Sequence, residues 1–228
     1  MQILIVVLFL ALIISGGIYS YYQTTRRRTE LAELAARLGW TFRSDNDSKL
    51  AGQFGSLKCL DQGSNRYAFN VLQGTFHQHP ICAFDYHYET YSTDSKGNTE
   101  TNHHHFSVAI LETGLPLKPL FIRPEGFFDR VGEFFGLDDI DFESSEFSRT
   151  FHVTSPDRRW AFDVIHQATM EYLLAAPRFK IEIAGTRVVV FRGSCFQPPE
   201  FEAALELATG LVDRLPNYLL REWKGAVQ

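Results

Sequence analysis

Cysteine is scarce in this sequence: Cys59, Cys82 and Cys195 are odd in number, far apart and form no CxxC pair. That excludes a disulfide framework and a zinc knuckle, and it fits a reducing compartment. Positive charge is not in excess, with 22 Lys and Arg against 27 Asp and Glu and a net charge of −5. Nucleic-acid binding needs a basic face to displace phosphate counterions, so no nucleic-acid partner is expected. Walker-type and GxGxxG loops are missing, as is a GxSxG elbow; Gly193-Ser194-Cys195 runs toward prolines instead of opening a helix directly. Repeats of solenoid period and low-complexity segments are also missing. These absences weigh against an enzyme, and no catalytic residue is assigned.

What the sequence does have is apolar material. Hydrophobic residues make up 45% of the 228, with 20 Phe among them, enough for one packed core. The longest apolar run, residues 3–22, carries no charge. At about 1.5 Å per residue it is long enough to cross a ~30 Å hydrocarbon layer. Tyr19, Tyr21 and Tyr22 at its end suit the headgroup level. A cleaved signal peptide would carry a basic n-region and a shorter apolar core. The expectation is a single-pass transmembrane anchor over residues 1–23, retained in the cell membrane. Arg26, Arg27 and Arg28 follow it, which by the positive-inside rule puts the N-terminus outside and the domain in the cytoplasm. The same three arginines are candidates for contact with anionic lipid headgroups.

Leu31, Leu34, Ala35 and Leu38 recur at helical spacing, so residues 24–39 are expected to form a juxtamembrane helix stopped by Gly39. From Tyr67 the period changes to two. Cys82, Phe84, Tyr86 and Tyr88, then Phe106, Val108 and Ile110, predict an antiparallel meander, followed by a strand over 120–123 that Pro124 closes. Residues 126–136 (GFFDRVGEFFG) carry phenylalanines at helical spacing. A helical region over 157–176, a hairpin turning near Gly185 and a final helix from Pro199 complete the pattern. The expected class is α+β: a transmembrane helix, then one domain over 40–228 with a mostly antiparallel sheet of about 6–7 strands packed with helices. A pleckstrin-homology-like barrel is the alternative arrangement of the same elements.

The histidines are the most suggestive polar feature. A turn centred near Lys96 and Gly97 would set Glu89 opposite His105 and Tyr91 opposite His103, with His87, Glu89, His103 and His105 on one face. Imidazoles with a carboxylate suit zinc or iron. That face is also the polar side of the meander, so solvated side chains near a hairpin tip explain the cluster equally well. The acidic stretch 138–146 lacks the Gly and terminal Glu spacing of a calcium loop. Phe127, Phe128 and Phe135 belong either to the core or to a surface that contacts a partner or a membrane.

The run RPEGFFDRVGEFFGLDDIDFESSEFSRTFHV, the strand FDYHYET, the arginine-flanked span, and Met170, Glu171 and Leu173 resemble an uncharacterised family of bacterial single-pass membrane proteins. The resemblance covers most of the chain and implies a membrane-anchored domain; it brings no reaction, ligand or site residue. The functional expectation is a membrane-tethered cytoplasmic binding or scaffold module with a membrane-associated protein partner and no cofactor. The alternatives are a metal-dependent hydrolase built on the His/Glu cluster and a module that senses lipid headgroups.

Overall fold

A computed structural model describes residues 2–95, 97–126 and 139–225. Helix α1 (Gln2–Leu38) leads into a short strand β1 (Thr41–Arg43) and helix α2 (Ser48–Gln53). Three long strands follow, β2 (Ser64–Phe76), β3 (His79–Thr93) and β4 (Thr99–Pro124). Helix α3 (Ser145–Thr150) and strand β5 (Phe151–Thr154) precede α4 (Arg158–Val164) and α5 (Gln167–Ala175). Strand β6 (Lys180–Phe191) and helices α6 (Pro198–Asp213) and α7 (Asn217–Gly225) close the order. Phe127, Phe128 and Phe135 lie outside the described residues, so the Phe-rich segment stays an expectation.

The class is α+β, with a six-stranded antiparallel sheet in the order β1-β2-β3-β4-β5 and β6 also paired to β4. The sheet is open: among the described residues nothing pairs β1 with β5 or β6. Two expectations change here. The separate strands at 106–110 and 120–123 are one strand, β4, and the hairpin at Gly185 is one strand, β6. Gly185 (φ 62°), read as a turn, and Gly114 (φ 67°) instead sit where β4 and β6 slip register between Glu112 and Leu120. A left-handed residue in a long strand makes a bulge and a bend without reversing the chain. The helical region 157–176 is also two helices, separated at Ile165 and His166.

Both faces of the sheet are covered. On one, Leu31, Leu34 and Ala35 of α1 join Phe201, Leu205 and Ala208 of α6 over Leu72, Ala83, Ala109 and Ile181. Each fully buried leucine in that layer contributes about 1.5–3 kcal/mol. On the other face, Leu50, Phe54, Leu57 and Leu60 pack on Phe84, Tyr86, Phe106 and Val108, and the Tyr86 hydroxyl donates to the Leu60 carbonyl at 2.6 Å. Helix α6 starts one residue ahead of the expected Pro199: Pro198 supplies a preset φ, and Glu200 accepts from the Gln197 amide at 2.6 Å.

The single-pass anchor is corrected. Among the described residues no helix is long and apolar enough to cross a membrane, and the outward N-terminus and cytoplasmic domain inferred from that span fall with it. The physical reason lies in how α1 divides. Its second half is a charged, amphipathic helix docked on the sheet through Leu31, Leu34 and Ala35. Ahead of it the apolar stretch is diluted by Ser15, Gly16, Gly17, Ser20 and three tyrosines, which are less apolar than the leucines and isoleucines around them.

Candidate functional site: a polar face under the first helix

The odd-numbered residues of β3 put Asp85, His87 and Glu89 on one face, in line with the buried Ile81 and Ala83. Across the strand pair their partners on β4 are Ser107, His105 and His103. The expected face is therefore present, but its register differs by two residues: His105 opposes His87, and His103 opposes Glu89. The hairpin closes between Asp94 and Asn98, whose backbone amides and the Asp94 carboxylate bond across the tip at 2.9 Å. A tip centred one residue earlier shifts every cross-strand pair by two and leaves the facing unchanged.

At the inner end of the face, Asp85 is 0% exposed and fully bonded. Arg27 from α1 reaches both of its oxygens, Nε to Oδ2 at 2.9 Å and Nη2 to Oδ1 at 2.7 Å, and donates a third bond to the Phe196 carbonyl at 2.7 Å. Asn70 donates to Asp85 at 2.8 Å; the Ser107 hydroxyl also donates to Asp85 and accepts from the Phe196 amide at 2.8 Å. Burial pulls the Arg27 guanidinium down, but its bonds to Asp85 and the Asp85 charge outweigh that and leave it raised. This corrects the lipid-headgroup assignment for Arg27. Arg26 pairs with Glu30 at 2.8 Å one turn along, while Arg28 is exposed.

At the outer end, His87, Glu89 and His103 bring ligand atoms together. His87 Nε2 lies 3.1 Å from His103 Nδ1, and Glu89 Oε1 lies 3.4 Å from His103 Nδ1 and 4.0 Å from His87 Nε2. His87 is 2% exposed, whereas the His103 side chain is 57% exposed. Asn65, in a left-handed conformation (φ 48°), serves both buried members: its carbonyl accepts from His87 Nδ1 at 3.0 Å and its amide donates to Glu89 Oε1 at 2.6 Å. Tyr91 donates to the other Glu89 oxygen at 3.2 Å, and Tyr67 stacks on the His87 ring at 4.4 Å. The Asn65 bond, more than any other group, holds the Glu89 carboxyl below its usual range. His105 stands beside this group, 4.8 Å from the His87 ring centre, and is not one of its converging ligands. Burial, then the neighbouring imidazoles, push His105 down.

Sequence reasoning found three members of this constellation and missed Asn65, Asp85 and Tyr67. Asp85 had a signal: it is the lone acid in the otherwise apolar run of residues 81–86 and shares parity with His87 and Glu89. Asn65 had none, because β2 slips register between Ser64 and Tyr67 and again between Phe69 and Leu72.

Behind β4 lies a cavity of about 280 Å³, lined in part by Cys59, Gln62, Tyr88, His104, Phe191 and Lys180. Lys180 is 3% exposed, and burial first, then nearby Arg123, bring its ammonium down to about 8. A second His–acid group, Glu125, Asp139 and His152, is more exposed. There Asp139 accepts from the Val153 amide at 2.8 Å and pairs with His152 at 2.9 Å, fastening its segment to β5.

No family model matches the chain, and no curated protein matches it. Its fold is similar to the crystal structure of the mycobacterial trehalose monomycolate transport factor A, TtfA, with a TM-score of 0.60 and 13% sequence identity over 85% of this chain and 96% of that one. At that identity the likeness shows a shared fold.

Proposed function

We propose that this chain is a non-enzymatic binding module that contacts a membrane-associated protein, with the exposed first half of α1 as its contact arm. The carrying observation is that every side chain from position 9 to position 26 is exposed, including Phe9, Leu10, Leu12, Ile13, Ile14 and Ile18. A helix apolar on all sides is stable in water only when something else covers it. Gly16 and Gly17 have open space where a Cβ would stand, so a partner helix can approach the backbone closely. The arm is rigidly aimed: Arg27 and Leu31 lock the helix to the sheet just past the apolar stretch. The similarity to a protein named as a transport factor supports a partner within transport machinery. The resemblance to an uncharacterised bacterial family agrees with this reading and adds no reaction to it.

The test is photocrosslinking in cells with the full chain, the probe placed at Leu12 or Ile14 and, as a control, at the exposed Phe162. The reading expects one membrane-protein adduct from the arm and none from the control. That adduct should be recovered reciprocally from the partner's side and lost in Ile13→Asp with the domain still folded. A scatter of unrelated adducts, or only lipid adducts, overturns it.

A further inference from the structure

We propose that His87 Nε2, His103 Nδ1 and Glu89 Oε1 form a binding site for one divalent transition-metal ion, zinc in the first place, independent of the contact arm. Three lines of geometry carry it.

The first is spacing. An ion bonded to nitrogen and oxygen at about 2.0–2.2 Å in a tetrahedral shell keeps its ligands roughly 3.3 Å apart. The three separations, 3.1, 3.4 and 4.0 Å, bracket that value.

The second is the proton inventory. A carbonyl only accepts, so in the neutral imidazole of a metal ligand the bond from His87 to the Asn65 carbonyl takes the proton on Nδ1 and turns the Nε2 lone pair toward the group. Glu89 Oε1 is an acceptor as well. His103 Nδ1 has one proton at most to offer two facing lone pairs, and a divalent ion satisfies all three atoms together.

The third is support. A ligating imidazole is usually oriented by a carbonyl on its other nitrogen and a ligating carboxylate by a hydrogen-bond donor. Asn65 supplies both, and its left-handed backbone lets one residue reach His87 through its carbonyl and Glu89 through its amide.

Two imidazoles and one carboxylate favour zinc over calcium or magnesium, which prefer all-oxygen shells. Three protein ligands leave at least one position open. The exposed His103 side chain gives the ion its path in, and the open position would take a water or a small anionic ligand.

The experiment is cobalt(II) titration of the full chain after chelator stripping, read by visible d–d absorption, with zinc competition and elemental analysis for stoichiometry. One equivalent is expected, displaced by zinc. His103→Ala, at an exposed position, and Glu89→Gln, which keeps the shape, should each weaken binding at least tenfold. His104→Ala should leave it unchanged, since that ring points to the opposite face and stacks on Tyr88 at 4.5 Å. Circular dichroism confirms that each variant folds. Binding well below one equivalent, or equal binding by His103→Ala and the unaltered chain, overturns the proposal.

Discussion

Asp85 and Glu89 stand four residues apart on the same face of the same strand, yet they are solved in opposite ways. Asp85 faces a guanidinium whose planar fork fills both oxygens, and Asn70 and Ser107 supply its remaining donors. That site is complete. Glu89 meets no guanidinium: Asn65 and Tyr91 donate to its oxygens, and two imidazole nitrogens converge on Oε1 at 3.4 and 4.0 Å. A polar face bonded to completion fastens helix to sheet, and a polar face left short of cations is shaped for one from outside.

The largest expected effect breaks the closed end. Arg27→Ala leaves the buried Asp85 charge without its counterion, and removing one partner of a buried pair costs about 3–5 kcal/mol. Urea unfolding of the variant checks this. A loss under about 1 kcal/mol would mean that water reaches Asp85 and that the two ends do not differ as described. The double variant Arg27→Met, Asp85→Leu should recover most of the loss, because the penalty lies in the orphaned charge.

Lys180 extends the comparison to a buried cation: its ammonium lies 5.9 Å from the Phe191 ring centre, and burial first, then Arg123, lower its pKa. Its folded value of about 8 lies below the ordinary lysine value of 10.5. Between those two values the unfolded chain binds more protons than the folded one, so this group's contribution makes stability rise with pH. Below about 8 the burial penalty is fully present. Lys180→Met should therefore flatten the rise in stability between pH 7 and pH 10, because it removes the group whose titration produces it. Chemical denaturation at both pH values measures it. A variant less stable than the unaltered chain at pH 7 would show the cation to be a net support. A smaller loss, about 1–2 kcal/mol, is expected for Ser107→Ala, which removes one donor from Asp85 and the acceptor of the Phe196 amide.

The facing of this surface was legible because strand parity survives errors of register: His87, Glu89, His103 and His105 share a face whether the turn centres on Lys96 or one residue later. Which of them converge was not, since a shift of two residues exchanges His103 for His105 opposite Glu89. Arg27 was visible as part of a basic cluster, but its destination lies 58 residues away in sequence, and local charge patterning carries no such information. The bend of β4 was misread for a related reason. Gly114, Pro116 and Pro119 punctuate the sequence like strand ends, yet all three fall within the stretch where β4 and β6 slip register, where a proline costs no ladder bond. Helix α6, by contrast, shows its apolar stripe, opening proline and closing proline in local sequence, and it forms as expected.

The smallest effect is the most discriminating. In metal-free buffer His103→Ala should change stability by no more than about 0.5 kcal/mol, the range for an exposed side chain away from the core. If the open end is a cation site, that indifference ends when zinc is added. A ligand that binds only the folded chain stabilises it by RT ln(1 + [L]/Kd), about 2.7 kcal/mol at a hundredfold excess over Kd. The melting temperature of the unaltered chain should therefore climb with zinc concentration while that of His103→Ala stays flat. Arg27→Ala separates the two ends further. Its melting temperature should start low and still climb with zinc, because the guanidinium holds Asp85 and takes no part in the His87–Glu89–His103 group. Parallel zinc responses in the unaltered chain and His103→Ala would mean that the ion binds elsewhere, and the two ends of the strand would then differ in packing alone.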